Sequence, residues 1–139
     1  MLFRSQRFGV QTGRVWAFPA RAVVSKAEPD DLVGVGFSRA KAAATVALAR
    51  SELDLEGLCE LSDAEVRTAL IAQKGLGAWS AEWFLARHLA RPTAWPLGDL
   101  VLAKAAQSFY GVSAEELGPR LATFQNLAAH YLLAGLRQP

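Results

Sequence analysis

The chain has 139 residues, 52% hydrophobic and 20% charged, which is enough for one domain with a real core and excludes a disordered tail. Its net charge is only +2, yet Arg4, Arg7, Arg14, Arg21 and Lys26 all precede the first acid, Glu28, an asymmetry that permits a polyanionic partner without requiring one. The single Cys59 excludes an internal disulfide and any thiolate-built zinc or iron-sulfur site, and no apolar run reaches membrane-span length, a combination that fits a cytoplasmic protein.

The basic start has the composition of an organelle transit peptide, but Gly9, Gly13 and Pro19 interrupt any long amphipathic helix there. Next, Val33-Gly34-Val35-Gly36-Phe37-Ser38 leads into a helix carrying Lys41. It reads either as a phosphate contact or as an ordinary tight helix corner, the commoner use of such glycines. The absence of a preceding strand argues against a dinucleotide fold. Ser38 precedes an Ala-rich helix from Lys41 to Leu53, and Ser62 with Glu65 forms a capping box that opens a helix to about Gln73.

That helix ends in Lys74-Gly75-Leu76-Gly77-Ala78, and Trp79-Ser80-Ala81-Glu82-Trp83 restarts at once. Gly-apolar-Gly between two helices leaves amides unpaired and unshielded, so a phosphate oxygen can approach the backbone closely. Such a hairpin, at about 64–90, is a way to hold DNA without reading its sequence. Downstream, Asp99 within Trp95-Pro96-Leu97-Gly98-Asp99-Leu100 reads by spacing as the N-cap of a helix from Leu100 to Phe109. Ser113 with Glu116 repeats the capping box, and Leu121, Phe124, Leu127, Ala128, Tyr131, Leu132 and Leu136 fall at helical spacing as a buried face. Pro29, Pro92, Pro96 and Pro119 are placed between helices. The expected architecture is all-α, a single helical domain over 1–139.

From Lys74 to Ala105 the chain resembles the helix-hairpin-helix DNA glycosylase superfamily (HhH-GPD), most closely its 3-methyladenine DNA glycosylase II branch. The likeness rests on Gly-apolar-Gly-x-Trp-Ser-Ala-Glu followed by a Pro-x-x-Asp turn. Upstream, the stretch from Phe18-Pro19 to the Ala-rich helix is also similar, so the resemblance covers roughly residues 16 to 135. It implies base excision repair: double-stranded damaged DNA as partner, hydrolysis of the N-glycosidic bond of alkylated purines such as 3-methyladenine, and Asp99 as the catalytic carboxylate.

Cleaving that bond builds positive charge on the deoxyribose, so a fixed carboxylate stabilises the transition state and helps orient water. The capping role of Asp99 is compatible, because a helix N-terminus favours the ionised form. Relatives that also cut the strand carry a lysine where this chain has Trp79, and an indole is no amine nucleophile, so the resemblance implies a monofunctional enzyme. It further implies that Trp79 lines or backs the base pocket, that Lys74 attracts phosphate, and that the carbonyls of Gly75 to Gly77 suit a potassium or sodium ion. No organic cofactor and no side-chain metal site are expected.

The remaining candidates read more plainly. Lys41 and Lys104 are weaker phosphate contacts, Arg87 and Arg91 a solvated face, Trp83 core, Trp95 undecided, and His88 and His130 surface or satisfied core residues. Against the family pattern, the wedge residue and upstream helices are missing, and Phe124-Gln125-Asn126 stands where a Trp-Arg pair is usual. A fragment of a longer glycosylase, incomplete at the N-terminus, is therefore expected; the alternatives are a truncated, catalytically inactive DNA-binding module and a structural protein whose hairpin only packs helices. A chain of this kind should expose apolar surface and show limited solubility or self-association.

Overall fold

Capping decides where most helices of this chain begin. A computed structural model describes residues 7 to 136; Arg4 lies outside them. The all-α architecture is borne out, and contacts concentrate in two compact units, Met1–Asp54 with Ala72–Gly75 and Leu55–Ile71 with Leu76–Pro139.

After the helical residues Arg7 and Phe8, the first unit forms a small antiparallel hairpin, β1 (Gln11–Thr12) with β2 (Val15–Trp16), which four residues were too few to announce by alternation. Three helices follow: α1 (Arg21–Val24), α2 (Pro29–Val33) and α3 (Arg39–Arg50). Pro29 sits at the N-terminal end of α2, where its missing N–H costs nothing, and Glu28 with Asp31 closes a capping box. Ser38 caps α3 by accepting the Lys41 amide, so the Gly34–Gly36 corner is a capped junction between α2 and α3. Ala27, Leu32, Ala42 and Val46 form the core, with Phe8, Val33 and Phe37 packed against it.

Much of the early positive charge is tied into this unit. Arg21 donates to the carbonyls of Ala49 (3.1 Å) and Leu53 (2.7 Å) and to that of Ser51, closing the end of α3. Arg50 donates to Ser25 and Ala27 (both 2.9 Å) and pairs with Glu28 at 2.8 Å, while Arg7 pairs with Asp31 at 3.2 Å.

The second unit holds a 3₁₀ turn (Gly57–Glu60) and α4 (Asp63–Ile71), α5 (Ala78–Arg87), α6 (Leu100–Tyr110), α7 (Ala114–Leu121) and α8 (Gln125–Gly135). Both predicted capping boxes form: the Ser62 amide donates to Glu65 at 2.9 Å, and the Ser113 amide to Glu116 at 3.2 Å. Val66 and Leu70 on α4, and Ala81 and Leu85 on α5, are spaced one turn apart and buried, which packs the two hairpin helices together. Ala105, Ala106 and Ala129 are also fully buried.

Two expectations fail here. Pro119 lies inside α7, in the last turn of a short helix, not between helices. The buried side of α8 is Ala129, Leu132 and Leu133, whereas Phe124, Leu127 and Tyr131 are exposed. A 3₁₀ turn over Ala122–Phe124, with Ala122 at φ 42°, breaks the phase between Leu121 and α8, and α8 is apolar on nearly every side. Phe109, Tyr110 and Tyr131 therefore border an open apolar groove with Ala128, Leu132 and Gly135.

Apolar patches of this kind drive association. Sedimentation velocity is expected to show a concentration-dependent rise in sedimentation coefficient that Phe124→Ser with Tyr131→Ser suppresses. A monomer across the whole range would contradict it.

Candidate active site

The N-cap of helix α5 is Gly77, which has no side chain to cap it. Its first internal bond is Ala81 N–H to the Gly77 carbonyl at 3.1 Å, so the amides of Ala78, Trp79 and Ser80 have no acceptor within the helix. Asp99 and Ser113, by contrast, cap α6 and α7 with their own side chains. Gly77 and Ala78 are exposed and Leu76 is half-buried. In the first unit, exposed Gly75 has φ +83°, and a Cβ there would stand 2.5 Å from that of Ala44. Only glycine fits both the turn and the contact.

Asp99 is 20 residues from Trp79 in sequence and in hydrogen-bond contact with it in space. Its carboxylate accepts four bonds. Oδ1 takes the amides of Val101 (2.9 Å) and Leu102 (3.1 Å), which is the predicted cap. Oδ2 takes the indole N–H of Trp79 (2.9 Å) and that of Trp83 (3.0 Å). Burial alone would push the Asp99 carboxyl up, but the bonds from Trp79, Leu102, Trp83 and Val101 together outweigh it and hold the group below its ordinary value. A half-buried carboxylate is thus kept ionised by four donors.

The two indoles differ. Trp83 is buried at 7% exposure, with the Arg87 guanidinium 4.0 Å from its ring centroid and His130 edge-on at 5.9 Å. Trp79 is 52% exposed and meets Trp83 edge-on at 6.5 Å.

Several residues turn out to do more than the sequence suggested. Trp83 is core, as expected, but also an Asp99 donor, and the signal was its position four residues after Trp79, on the same helix face. Trp95 is buried, its indole donating to the Ala114 carbonyl at 2.9 Å. Arg91 is not a solvated charge: it donates to the carbonyls of Cys59 (2.8 Å) and Leu61 (2.9 Å) and pairs with Asp63 at 3.2 Å. Arg87 is exposed yet lies over Trp83. Gln125 and Asn126 tie α8 down through the carbonyls of Gly118 and Ala86, both at 2.9 Å. His130 is on the surface, bonded to the Asn126 carbonyl, and His88 lies beside the Phe84 ring.

Lys104 is exposed on α6; Lys41 and Lys74 are exposed in the first unit. Among the described residues, no three His, Cys, Asp or Glu side chains gather as a metal site would need, and no helix is long and apolar enough to cross a membrane.

No family model matches the chain. It is 30% identical over 107 residues to "Putative DNA-3-methyladenine glycosylase YfjP" of Bacillus subtilis (strain 168), a match covering 74% of this chain and 37% of that protein. The DNA-3-methyladenine glycosylase of the same organism is also 30% identical, over 64% of this chain and 31% of its own length. The chain therefore spans about a third of these relatives. Among solved structures, the 3-methyladenine DNA-glycosylase from Archaeoglobus fulgidus superposes with TM-score 0.82 at 29% identity, over 94% of this chain and 48% of that one. An 8-oxoguanine glycosylase/lyase of Clostridium acetobutylicum, in complex with dsDNA, gives TM-score 0.80 at 21% identity over 98% and 51%, a likeness of fold alone.

Proposed function

The chain belongs to the helix-hairpin-helix DNA glycosylase superfamily, and from that premise we propose that it is a monofunctional DNA N-glycosylase of base excision repair, hydrolysing the bond between deoxyribose and an alkylated purine such as 3-methyladenine. The observation that carries this reading is the Asp99 carboxylate, bound by an indole from the first turn of the hairpin's second helix.

As the base departs, positive charge grows at C1′, and a fixed negative charge there lowers the barrier. Asp99 supplies it. A carboxylate has about four lone-pair sites, and all four here face a donor. Asp99 therefore serves as a fixed charge more than as a proton acceptor; taking a proton from water would require one indole to let go. Trp79, the exposed one, is placed to do so and to stack on a flipped, electron-poor base.

The uncapped amides at the start of α5 suit a phosphate oxygen, with Lys74, and more weakly Lys41 and Lys104, adding attraction. Carbonyl oxygens are hard donors, so the carbonyls of Gly75 to Gly77 are the groups that would hold a potassium or sodium ion, which would supply positive charge for a phosphate. With Trp79 in place of an amine, no Schiff base forms.

The test is release of 3-methyladenine or 7-methylguanine from alkylated duplex DNA, with borohydride added in parallel. Free base without a covalent adduct is expected. An adduct trapped by borohydride would overturn the monofunctional assignment. DNA affinity that falls steeply with salt but no released base would favour the binding-module alternative.

A further inference from the structure

We propose that Glu82 is a positioning residue for Asp99, tying the turn that carries the aspartate to both helices of the hairpin; its catalytic consequence rests on the glycosylase reading above. Glu82 lies on α5 between the two indole donors, three residues after Trp79 and next to Trp83. Its side chain is 14% exposed, and its two oxygens point to different elements. Oε1 pairs with Arg67 Nε of α4, and Oε2 accepts the backbone N–H of Trp95 at 3.3 Å. Trp95 opens the segment that ends at Asp99.

That segment has little freedom beyond these ties. The Trp95 indole donates to the Ala114 carbonyl at 2.9 Å, and α7 approaches it so closely at Gly118 that a Cβ there would stand 2.8 Å from the indole nitrogen. Pro96 is fully buried, Gly98 turns the chain at φ +84°, and the Asp99 N–H returns to the Pro96 carbonyl at 3.1 Å. One face of α5 thus grips both ends of one turn: Glu82 holds its first peptide, and Trp79 with Trp83 hold its last side chain. The register of the turn against α5 sets where Oδ2 sits. Without Glu82 a part-buried peptide N–H loses its acceptor, the turn resettles, and Oδ2 drifts from the indoles.

The conservative variant is informative because glutamine has one acceptor oxygen for two donors. Arg67 is 38% exposed and can turn to water, whereas the Trp95 N–H cannot, so the amide oxygen goes to the peptide. Glu82→Gln should keep the turn in place, and Glu82→Ala should not.

The experiment is a pH titration of the Trp79 and Trp83 indole N–H signals by heteronuclear NMR, with single-turnover excision and DNA affinity measured beside it. Both indoles are followed because both donate to Asp99 Oδ2. In the unaltered chain both signals should report one midpoint, that of Asp99. Glu82→Ala should raise that midpoint and lower the excision rate about tenfold or more, with DNA affinity within about twofold, as expected when geometry and not binding is lost; Glu82→Gln should restore the midpoint.

Should the alanine variant fail to fold, Glu82→Asp, one methylene too short to span both partners, should raise the midpoint in the same sense. A midpoint unchanged in Glu82→Asp, or in a folded Glu82→Ala, would overturn the proposal. Absence of excision by the unaltered chain would instead count against the enzymatic reading, and the indole titration would still decide the role of Glu82.

Discussion

Asp99→Asn is expected to lower single-turnover excision at neutral pH by at least about 10³-fold, the scale seen when one preorganised electrostatic contact to a transition state is lost. The substitution changes few atoms but removes the charge that the proposed mechanism sets against the forming cation. It also alters the bonding. Four donors converge on the carboxylate, two on each oxygen, while an amide offers a single acceptor oxygen. If that oxygen keeps the cap, the amide nitrogen meets two indole donors, and the Trp83 N–H loses its acceptor at about 1–3 kcal/mol. If the amide flips, the α6 cap is lost at about 1 kcal/mol. Either way a melting temperature lower by several degrees is expected, about 2–8 °C for a chain of this size, in a protein that remains folded at 25 °C. DNA affinity should hold or tighten slightly, since a negative charge beside a polyanion has been removed. Excision within tenfold of the unaltered chain would sink the assignment of Asp99. Loss of DNA binding in step with activity would point to a folding defect instead.

The reasons some of this was legible and some was not are local. Capping boxes at Ser62 and Ser113 could be read because the signal and its consequence lie within four residues. So could the hairpin, where Gly75 needs a left-handed backbone and Gly77 a bare helix start. The resemblance named Asp99 and Trp79 separately, and the bond between them could not be read, since nothing at a separation of 20 residues dictates it locally. The partners of Glu82, Arg91 and Trp95 were invisible for a related reason. A carboxylate on a helix reads as surface until tertiary structure brings a peptide N–H from 13 residues away against it. For Arg91, the carbonyls that hold it lie 32 and 30 residues upstream. The face of α8 failed differently, because a helix apolar on almost every side has no preferred phase and a 3₁₀ turn had already shifted it.

Removing one indole donor at a time should separate ionisation of the site from its assembly. Trp83→Phe keeps the ring beneath Arg87 and deletes only the N–H to Asp99. Trp79→Phe does the same at the exposed position, with some loss of stacking on the base. The sign follows from the balance at Asp99: burial favours the neutral acid, and the four donors, Trp79 first among them, outweigh it. Each deletion therefore moves the carboxyl up, and with both indoles gone burial has only the two backbone amides against it. On the proposed mechanism excision requires the ionised form, so the rate of the unaltered chain should stay flat from neutral pH down past the ordinary range of an aspartate and fall only as pH drops through the depressed value. In Trp83→Phe and Trp79→Phe that acid limb moves to higher pH, furthest in the double variant.

Stability follows the same linkage. A depressed carboxyl contributes stability that is fully present above its unfolded value and lost as pH falls through the folded one, so this acid-dependent part should shrink in both variants. At neutral pH a carboxylate whose Oδ2 keeps only the Trp79 donor is freer to rotate, and a rate about tenfold lower is expected for Trp83→Phe, the worth of one charge-assisted hydrogen bond. DNA affinity should be unchanged in Trp83→Phe, because that ring is buried, and weaker in Trp79→Phe. An acid limb that stays put in both single variants would mean that the indoles do not set the charge of Asp99, and the four-donor description of the site would have to be abandoned.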